Sequence, residues 1–197
     1  MDFKKRYTFY NSQTWDRWVE DGIEWSVPVS EETCAAARNG SWDVILTPCR
    51  PVPHAWFPAF ENKKILGLAS GGGQQIPIFA ALGAETVLFD LSDRQLRTEK
   101  MVADREGYAC GIVKGDMTHP LPFRDESFDL IFHPVSNCYI EEVQPLWHEC
   151  YRVLKKGGVL LSGLDNGLNF LVEDDAEGAD LRIVNPLPYN PLKDRTE

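Results

Sequence analysis

KKILGLASGGGQQIPIFAALGAETVLFD, residues 63–90, is the stretch whose order of elements decides the fold. KKILGLAS is a β-branched, apolar run ending in glycines, and ETVLFD is a second apolar run. Between them QQIPIFAALGA has the spacing of a helix, with Pro77 tolerable only near its first turn. Strands this apolar along their length are buried on both faces. Strand, glycine turn, helix and strand therefore belong to a parallel sheet with helices on both sides.

The alternation continues downstream. DRQLRTEKMVADREG (93–107) reads as a charged, exposed helix stopped by Gly107, CGIVKGD (110–116) as a third strand and FDLIFHP (128–134) as a fourth. Val143, Leu146, Trp147, Cys150, Tyr151 and Leu154 then follow the spacing of one buried helix face, which Gly157 and Gly158 are expected to end before a fifth strand, VLLSGL (159–164). Right-handed crossovers make this a Rossmann-like, doubly wound, mostly parallel α/β sheet, with ligand crevices at the C-terminal ends of the strands.

Upstream the character changes. Residues 1–60 hold five of the six tryptophans (Trp15, Trp18, Trp25, Trp42 and Trp56) and the proline-rich run TPCRPVPHAWFP. One helix is expected over Ser12 to Glu20. A second should run from an N-cap at Ser30, through Glu31 and Glu32, to a stop near Gly40. Pro48, Pro51, Pro53 and Pro58 force an extended path thereafter. The expected organisation is a helical cap over residues 1–60 and a ligand-binding domain over 61–197.

The bulk properties bound the function. At 197 residues the chain suits one α/β domain, and a net charge of −10 repels phosphate backbones, which argues against nucleic acid as partner. An odd set of five cysteines (Cys34, Cys49, Cys110, Cys138 and Cys150) without a C-x-x-C pair suggests reduced thiols in a cytoplasmic protein. No apolar run approaches the ~18–20 residues that would cross a bilayer, so no membrane association is expected.

Chemistry concentrates at three strand tips. In the loop Ala69-Ser70-Gly71-Gly72-Gly73 the missing Cβ atoms let a ligand approach, and the helix start offers N–H groups to an anion; a plain tight turn would look the same. Asp90, closing the second strand, can accept hydrogen bonds from both hydroxyls of a ribose, or simply cap the helix DRQL. Asp116, after the third strand, can accept from an adenine amino group beside an apolar wall at Met117, or serve as a turn residue. Together the three tips could touch one nucleoside. His133, ending the fourth strand, is the candidate catalytic base, with core packing as its plainer role. Cys138 reads as core, and Cys49 with His54 has no further ligand spacing, so no metal is expected. Trp15, Trp18 and Trp56 are expected to pack a lid over the crevice.

The segments ILGLASGGGQQ, VLFDLSDRQL, KGDMTHPLPFRDESFDLIFHP and ECYRVLKKGGVLLSG together resemble the class I S-adenosylmethionine-dependent methyltransferases of the methyltransferase type 11 kind, over roughly Lys63 to Asp165. The runs Pro122 to Asp129 and Arg152 to Gly158 are its most recognisable later signatures. The resemblance implies that Ala69, Ser70, Gly71 and Gly73 hold the methionine part of the cofactor, Asp90 the ribose, and Asp116 with Met117 the adenine, while His133 lines the sulfonium or acceptor side. It implies in-line methyl transfer; a small-molecule acceptor is expected because the sequence has neither a basic surface nor a peptide-binding signature. Where the family carries an acid two positions before the first loop glycine this chain has Gly67, and the glycine itself is Ala69; another group or a water would take the acid's part.

Two rival readings have distinct signatures. A nicotinamide-dependent oxidoreductase needs G-x-G-x-x-G, and counting from Gly71 places Ile76 at the third glycine. A domain that binds the cofactor without catalysis is suggested by the C-terminal end, where an acidic loop (Gly163 to Asp180), a short strand LRIV and Pro186, Pro188 and Pro191 follow the fifth strand. The family's usual helix and strand pair are not recognisable there. A truncated C-terminal end would leave the fifth strand near an open edge, covered by the tail or by a second subunit in a homodimer.

Overall fold

The computed structural model describes residues 6–48, 50–168, 171–174, 181–186 and 189. Helices α1 (Arg6–Asp21) and α2 (Glu31–Arg38) precede a short ribbon of β1 (Ile45–Thr47) and β2 (Arg50–Pro51). The alternating core follows as β3 (Lys64–Leu68), α3 (Gln75–Ala81), β4 (Glu85–Asp90), α4 (Asp93–Glu106), β5 (Cys110–Lys114), β6 (Phe128–His133), α5 (Gln144–Val153) and β7 (Leu154–Ser162). Contacts divide the chain into two units, Met1–Leu164 and Asp165–Glu197. In the second, β8 (Val172–Asp174) and β9 (Leu181–Ile183) pair antiparallel, Val172 opposite Ile183. LRIV was legible as a strand; its partner was not, because Glu173 and Asp174 are poor strand formers.

The main sheet has the order β5-β4-β3-β6-β7 with every pair parallel, so the expected doubly wound α/β sheet is present. The pleat explains its uninterrupted apolar strands. Ile65, Leu88, Leu130 and Phe132 face one core with Ile76 and Phe79, while Leu66, Leu68, Val87, Phe89 and Ile131 face another with Leu146 and Val153. Each fully buried side chain of this size contributes about 1.5–3 kcal/mol. Strand order reverses between β3 and β6, which opens a crevice at their C-terminal ends. The edges are β5 and β7, as expected for the fifth strand of the alternation.

Two caps read from the sequence are in place: Ser30 accepts from the Thr33 amide at 3.2 Å, and Gly107 ends α4 in the left-handed conformation. The N-cap of α4 is Ser92, which accepts from the Gln95 amide at 3.1 Å, and not Asp90, the alternative cap read for that helix. Helix α1 starts six residues earlier than expected and lies against α4. Its Asp16 accepts from the Ser92 hydroxyl at 2.6 Å and the Arg94 amide at 2.9 Å, placing a carboxylate at the positive end of α4. Glu20 pairs with the Arg94 guanidinium.

Two expectations about α5 are corrected. The helix ends at Val153, and Gly157 and Gly158 sit inside β7, where a step of two residues along β6 (Phe128 to Leu130) is matched by a step of five along β7 (Leu154 to Val159). Gly157 takes a φ of +76° in this bulge. Tyr151 is 84% exposed, and the buried face is Leu146, Cys150 and Val153.

The signature runs hold the sheet together. Asp129 accepts from the Lys64 amide at 3.0 Å and from the Lys155 ammonium at 2.6 Å, joining β3, β6 and β7. Arg152 donates to the Phe123 and Leu121 carbonyls and pairs with Asp125 and Glu149, fastening α5 to the loop before β6.

Candidate functional site

The glycine loop leaves β3 through Ala69 (φ +47°) and Gly71 (φ +70°). Its amides are engaged by side chains. Gly71 donates to Asp90 Oδ2 at 3.2 Å, Gly72 to Gln95 Oε1 at 2.8 Å, and Gly73 to Glu99 Oε2 at 2.7 Å. These three loop amides are thus already engaged, by Asp90 at the tip of β4 and by Gln95 and Glu99 of α4. A Cβ on Gly72 would overlap the Gln95 carbonyl, so glycine is required by the close approach of α4. Glu99 is fully buried, its carboxyl pushed above the ordinary range by burial, and it also accepts from the Tyr108 hydroxyl at 2.6 Å.

Above the loop lies a cavity of about 270 Å³, close to the lower end of the ~300–1,000 Å³ usual for small-molecule sites. It brings together most of the residues singled out from the sequence: Ala69, Ser70, Gly71, Asp90, Asp116 and Met117 all line it. Gly73 and His133 are not among its lining residues. Gly73 instead packs beneath the loop, where a Cβ would crowd Pro28 and Val102 at 2.8 and 2.9 Å.

Asp90, at the tip of β4, is buried and accepts from the Ser92 amide at 2.9 Å as well as from Gly71. Burial pushes its carboxyl up to about 6, opposed by the Ser92 and Gly71 N–H groups and reinforced by the charge of Asp16. Asp116 forms an Asx turn, its Oδ1 accepting from the Thr118 amide at 2.9 Å and hydroxyl at 2.8 Å. The turn role and the cavity position coexist. Between the two aspartates the wall is apolar, built from Phe89, Leu91 and Met117.

His133 does not reach this space. The pleat turns its side chain into the sheet–α5 layer, where it is fully buried, contacts the Leu68 carbonyl through Nδ1 at 2.7 Å and meets Trp147 edge-on at 5.8 Å. Burial pushes its pKa down to about 4. A neutral, enclosed imidazole is a packing residue, and the base role is not supported by its position.

The N-terminal segment supplies the opposite wall. Thr8, Asn11, Ser12 and Trp15 follow the i, i+3, i+4, i+7 face of α1 onto the cavity, joined by Trp25 and by Ile45 to Pro48. Of the tryptophans expected as a lid, Trp15 takes that place, Trp18 packs edge-on against it at 5.0 Å, and Trp56 is 57% exposed and lines nothing here. Tyr139 closes on Trp15 at 5.7 Å. Cys49 lies outside the described residues, so its pairing with His54 does not arise; the other four cysteines are thiols.

Three of the lining residues each carry a buried polar atom without a hydrogen-bond partner among the described residues: Ser70 Oγ, Gln75 Oε1 and Gln95 Nε2. Sequence reading missed both glutamines. Gln95 sits in a helix that looks solvated, and only the donor-rich loop opposite explains its burial.

Comparison with known proteins agrees with this geometry. A family profile described as "Methyltransferase domain" matches residues 66–162. The uncharacterized methyltransferase YbaJ of Bacillus subtilis is 44% identical over 94% of this chain and 73% of its own length. A sterol 24-C-methyltransferase of Pneumocystis carinii is 27% identical over 88% of this chain, which spans only 47% of that protein. An S-adenosylmethionine-dependent methyltransferase of Mesorhizobium loti has the same fold, with a TM-score of 0.57 at 20% identity over 66% of this chain and 60% of its own. Among the described residues no helix is long and apolar enough to cross a membrane.

Proposed function

The chain belongs to the methyltransferase domain family, and from that premise we propose that it transfers a methyl group from S-adenosylmethionine to a small-molecule acceptor. The observation that carries the reading is the shared cavity, in which a glycine turn and two aspartates at neighbouring strand tips meet around an apolar slab. The donor set fits an adenosine. Asp90 offers buried carboxylate oxygens to ribose hydroxyls, Asp116 lies where an adenine amino group would donate, and Phe89 and Met117 give the base a flat apolar bed. When bound, the cofactor would supply a sulfonium methyl open to in-line attack by an acceptor nucleophile, with S-adenosylhomocysteine as the leaving group.

The protein's part is then alignment and exclusion of water. Residues 1–60 act as the cap, since one face of α1 and the β1 segment line the cavity opposite the strand tips. That wall carries hydroxyl, amide and aromatic groups and no charged side chain among the described residues, which favours a largely apolar, uncharged acceptor. With His133 enclosed, the reading gives it no proton to move.

Isothermal titration calorimetry with S-adenosylhomocysteine tests the cofactor. One-to-one binding is expected, and methyl transfer from labelled S-adenosylmethionine to a panel of apolar acceptors follows. Binding of a nicotinamide dinucleotide in its place would overturn the reading.

A further inference from the structure

The backbone pairing of β3 with β6 ends at Gly67 and Phe132, where the two strands part at the tip of the sheet. Two side chains carry the connection further. His133 Nδ1 donates to the Leu68 carbonyl at 2.7 Å. The Ser136 hydroxyl donates to the Ala69 carbonyl, sharing its proton with the Pro134 carbonyl at 2.8 Å. Ser136 thus spans the crevice at the point where the strand order reverses.

Both ends of this bridge hold an unusual backbone. Ala69 has a φ of +47°, and Val135, next to Ser136, has a φ of +42°. A β-branched residue there is an outlier, and it persists only where its surroundings over-determine it. Those of Val135 do. A Cβ at position 163 would lie 2.8 Å from the Val135 nitrogen and 2.3 Å from the Leu46 carbonyl, so only glycine admits this turn. The Gly163 amide donates to the His133 carbonyl at 3.0 Å, and its carbonyl accepts from Asn137 Nδ2 at 2.6 Å. The residues that follow the turn, Cys138, Tyr139 and Ile140, line the cavity together with Ala69. The Tyr139 carbonyl also accepts from Asn11 Nδ2 of α1 at 3.1 Å. One hydroxyl therefore joins the glycine turn to the segment that carries the cap.

We propose that Ser136 is a positioning residue for methyl transfer: by fastening the Ala69 turn to the strained Val135 turn, it holds the cofactor side and the 138–140 wall of the cavity as one body. This rests on the cofactor reading above. In-line displacement tolerates little error in the placement of donor and acceptor, and such a tie fixes that placement. Ser136 acts through Ala69 and Val135 and moves no proton at the reacting atoms.

Hydrogen exchange read by mass spectrometry tests this on the full chain, with and without S-adenosylhomocysteine at about 100 times each variant's own Kd. In the wild type the ligand should slow exchange in residues 69–73 and in residues 137–141 by more than about 10-fold each. In Ser136→Ala the first segment should stay slowed, while the second returns to within about 2-fold of its ligand-free rate. Adding Val135→Gly to Ser136→Ala lets glycine take the positive φ freely, and should recover Tm without recovering the protection of 137–141. Ser136→Cys, close in size but a far weaker donor, decides the question if Ser136→Ala does not fold. Protection of both segments in Ser136→Ala, loss of both, or protection regained in the double variant refutes the positioning role while the cofactor reading stands. A wild type that binds the ligand with 137–141 unprotected does the same. A wild type that does not bind S-adenosylhomocysteine refutes the cofactor reading and the positioning role with it.

Discussion

Asp90 gives the sharpest test of the site. Burial pushes its carboxyl up to about 6 despite hydrogen bonds from the Ser92 and Gly71 amides. Hydroxyl donors favour the ionised form, so ribose binding should draw on that form alone. At pH 5 about one-tenth of the groups remain ionised in the free protein, and the dissociation constant for S-adenosylhomocysteine should rise roughly tenfold, about 1.4 kcal/mol. From pH 7 to 8 it should be flat. Asp90→Asn sets an NH₂ against one of the two amide donors and removes the charge; it should cost about 1.5–3 kcal/mol of affinity at pH 7.5 and abolish the slope. The free protein carries the opposite sign. A folded pKa above the ordinary 3.8 means stability that is complete below that value and lost as pH rises through about 6; the full amount is roughly 3 kcal/mol. Calorimetry at pH 5, 6, 7 and 8 on wild type and variant measures the first effect, and urea denaturation the second. A wild-type affinity profile flat down to pH 5, or a slope retained by Asp90→Asn, would refute the assignment of ribose to this carboxylate.

Other perturbations separate the roles of the remaining residues. His133 is held neutral with a pKa near 4; it contributes stability present above the ordinary ~6.5 and lost as pH falls towards 4, by about 3 kcal/mol. His133→Gln should remove that acid sensitivity in urea denaturation without lowering turnover more than its effect on folding explains, whereas turnover lost in a fully folded variant would restore a chemical role. Gly72→Ala forces a Cβ into the Gln95 carbonyl and should cost more than ~3 kcal/mol or prevent folding; Gly157→Ala has open space around a φ of +76° and should cost only ~1–2 kcal/mol, and equal shifts in Tm would contradict the close approach of loop and α4. Asp16→Asn keeps an oxygen for Ser92 and Arg94 but removes a like charge from beside Asp90, so the midpoint of the affinity profile should move to lower pH; an unmoved midpoint would show that α1 and the ribose acid are not electrostatically coupled.

The legible parts of this sequence are those in which local pattern and burial point the same way. β3, β4 and β6 are apolar throughout because both faces of a parallel sheet are covered, and Ser30 and Gly107 announce helix ends by backbone chemistry alone. Reading failed where one residue type answers two needs. Gly157 and Gly158 have the composition of a helix stop, yet they serve a bulge that appears only once β7 is laid beside β6. Tyr151 fits the helical spacing but lies past the edge of the stripe that α5 buries. His133 stands at a strand tip, where sequence cannot say which way the last pleat turns; it shares the face of Ile131 and goes to α5. Gln95 and Glu99 belong to a helix whose composition is that of a solvated surface, and only the glycine amides opposite account for their burial.

That last point alters the argument from glycines to function. A glycine loop before a helix is commonly taken as a cradle of free N–H groups, but here three consecutive amides are spent on Asp90, Gln95 and Glu99. The loop is therefore a rigid wall rather than an anion trap, and discrimination passes to the side chains it fixes. Ser92 shows how closely these are tied: its amide donates to Asp90 while its hydroxyl donates to Asp16 of the covering helix. The acid proposed for the ribose and the helix proposed to cap the acceptor thus rest on one residue at the start of α4. Any shift of α1 away from α4 would break the hydroxyl bond and withdraw a negative charge from beside Asp90, so displacing the cap and ionising the carboxylate should occur together.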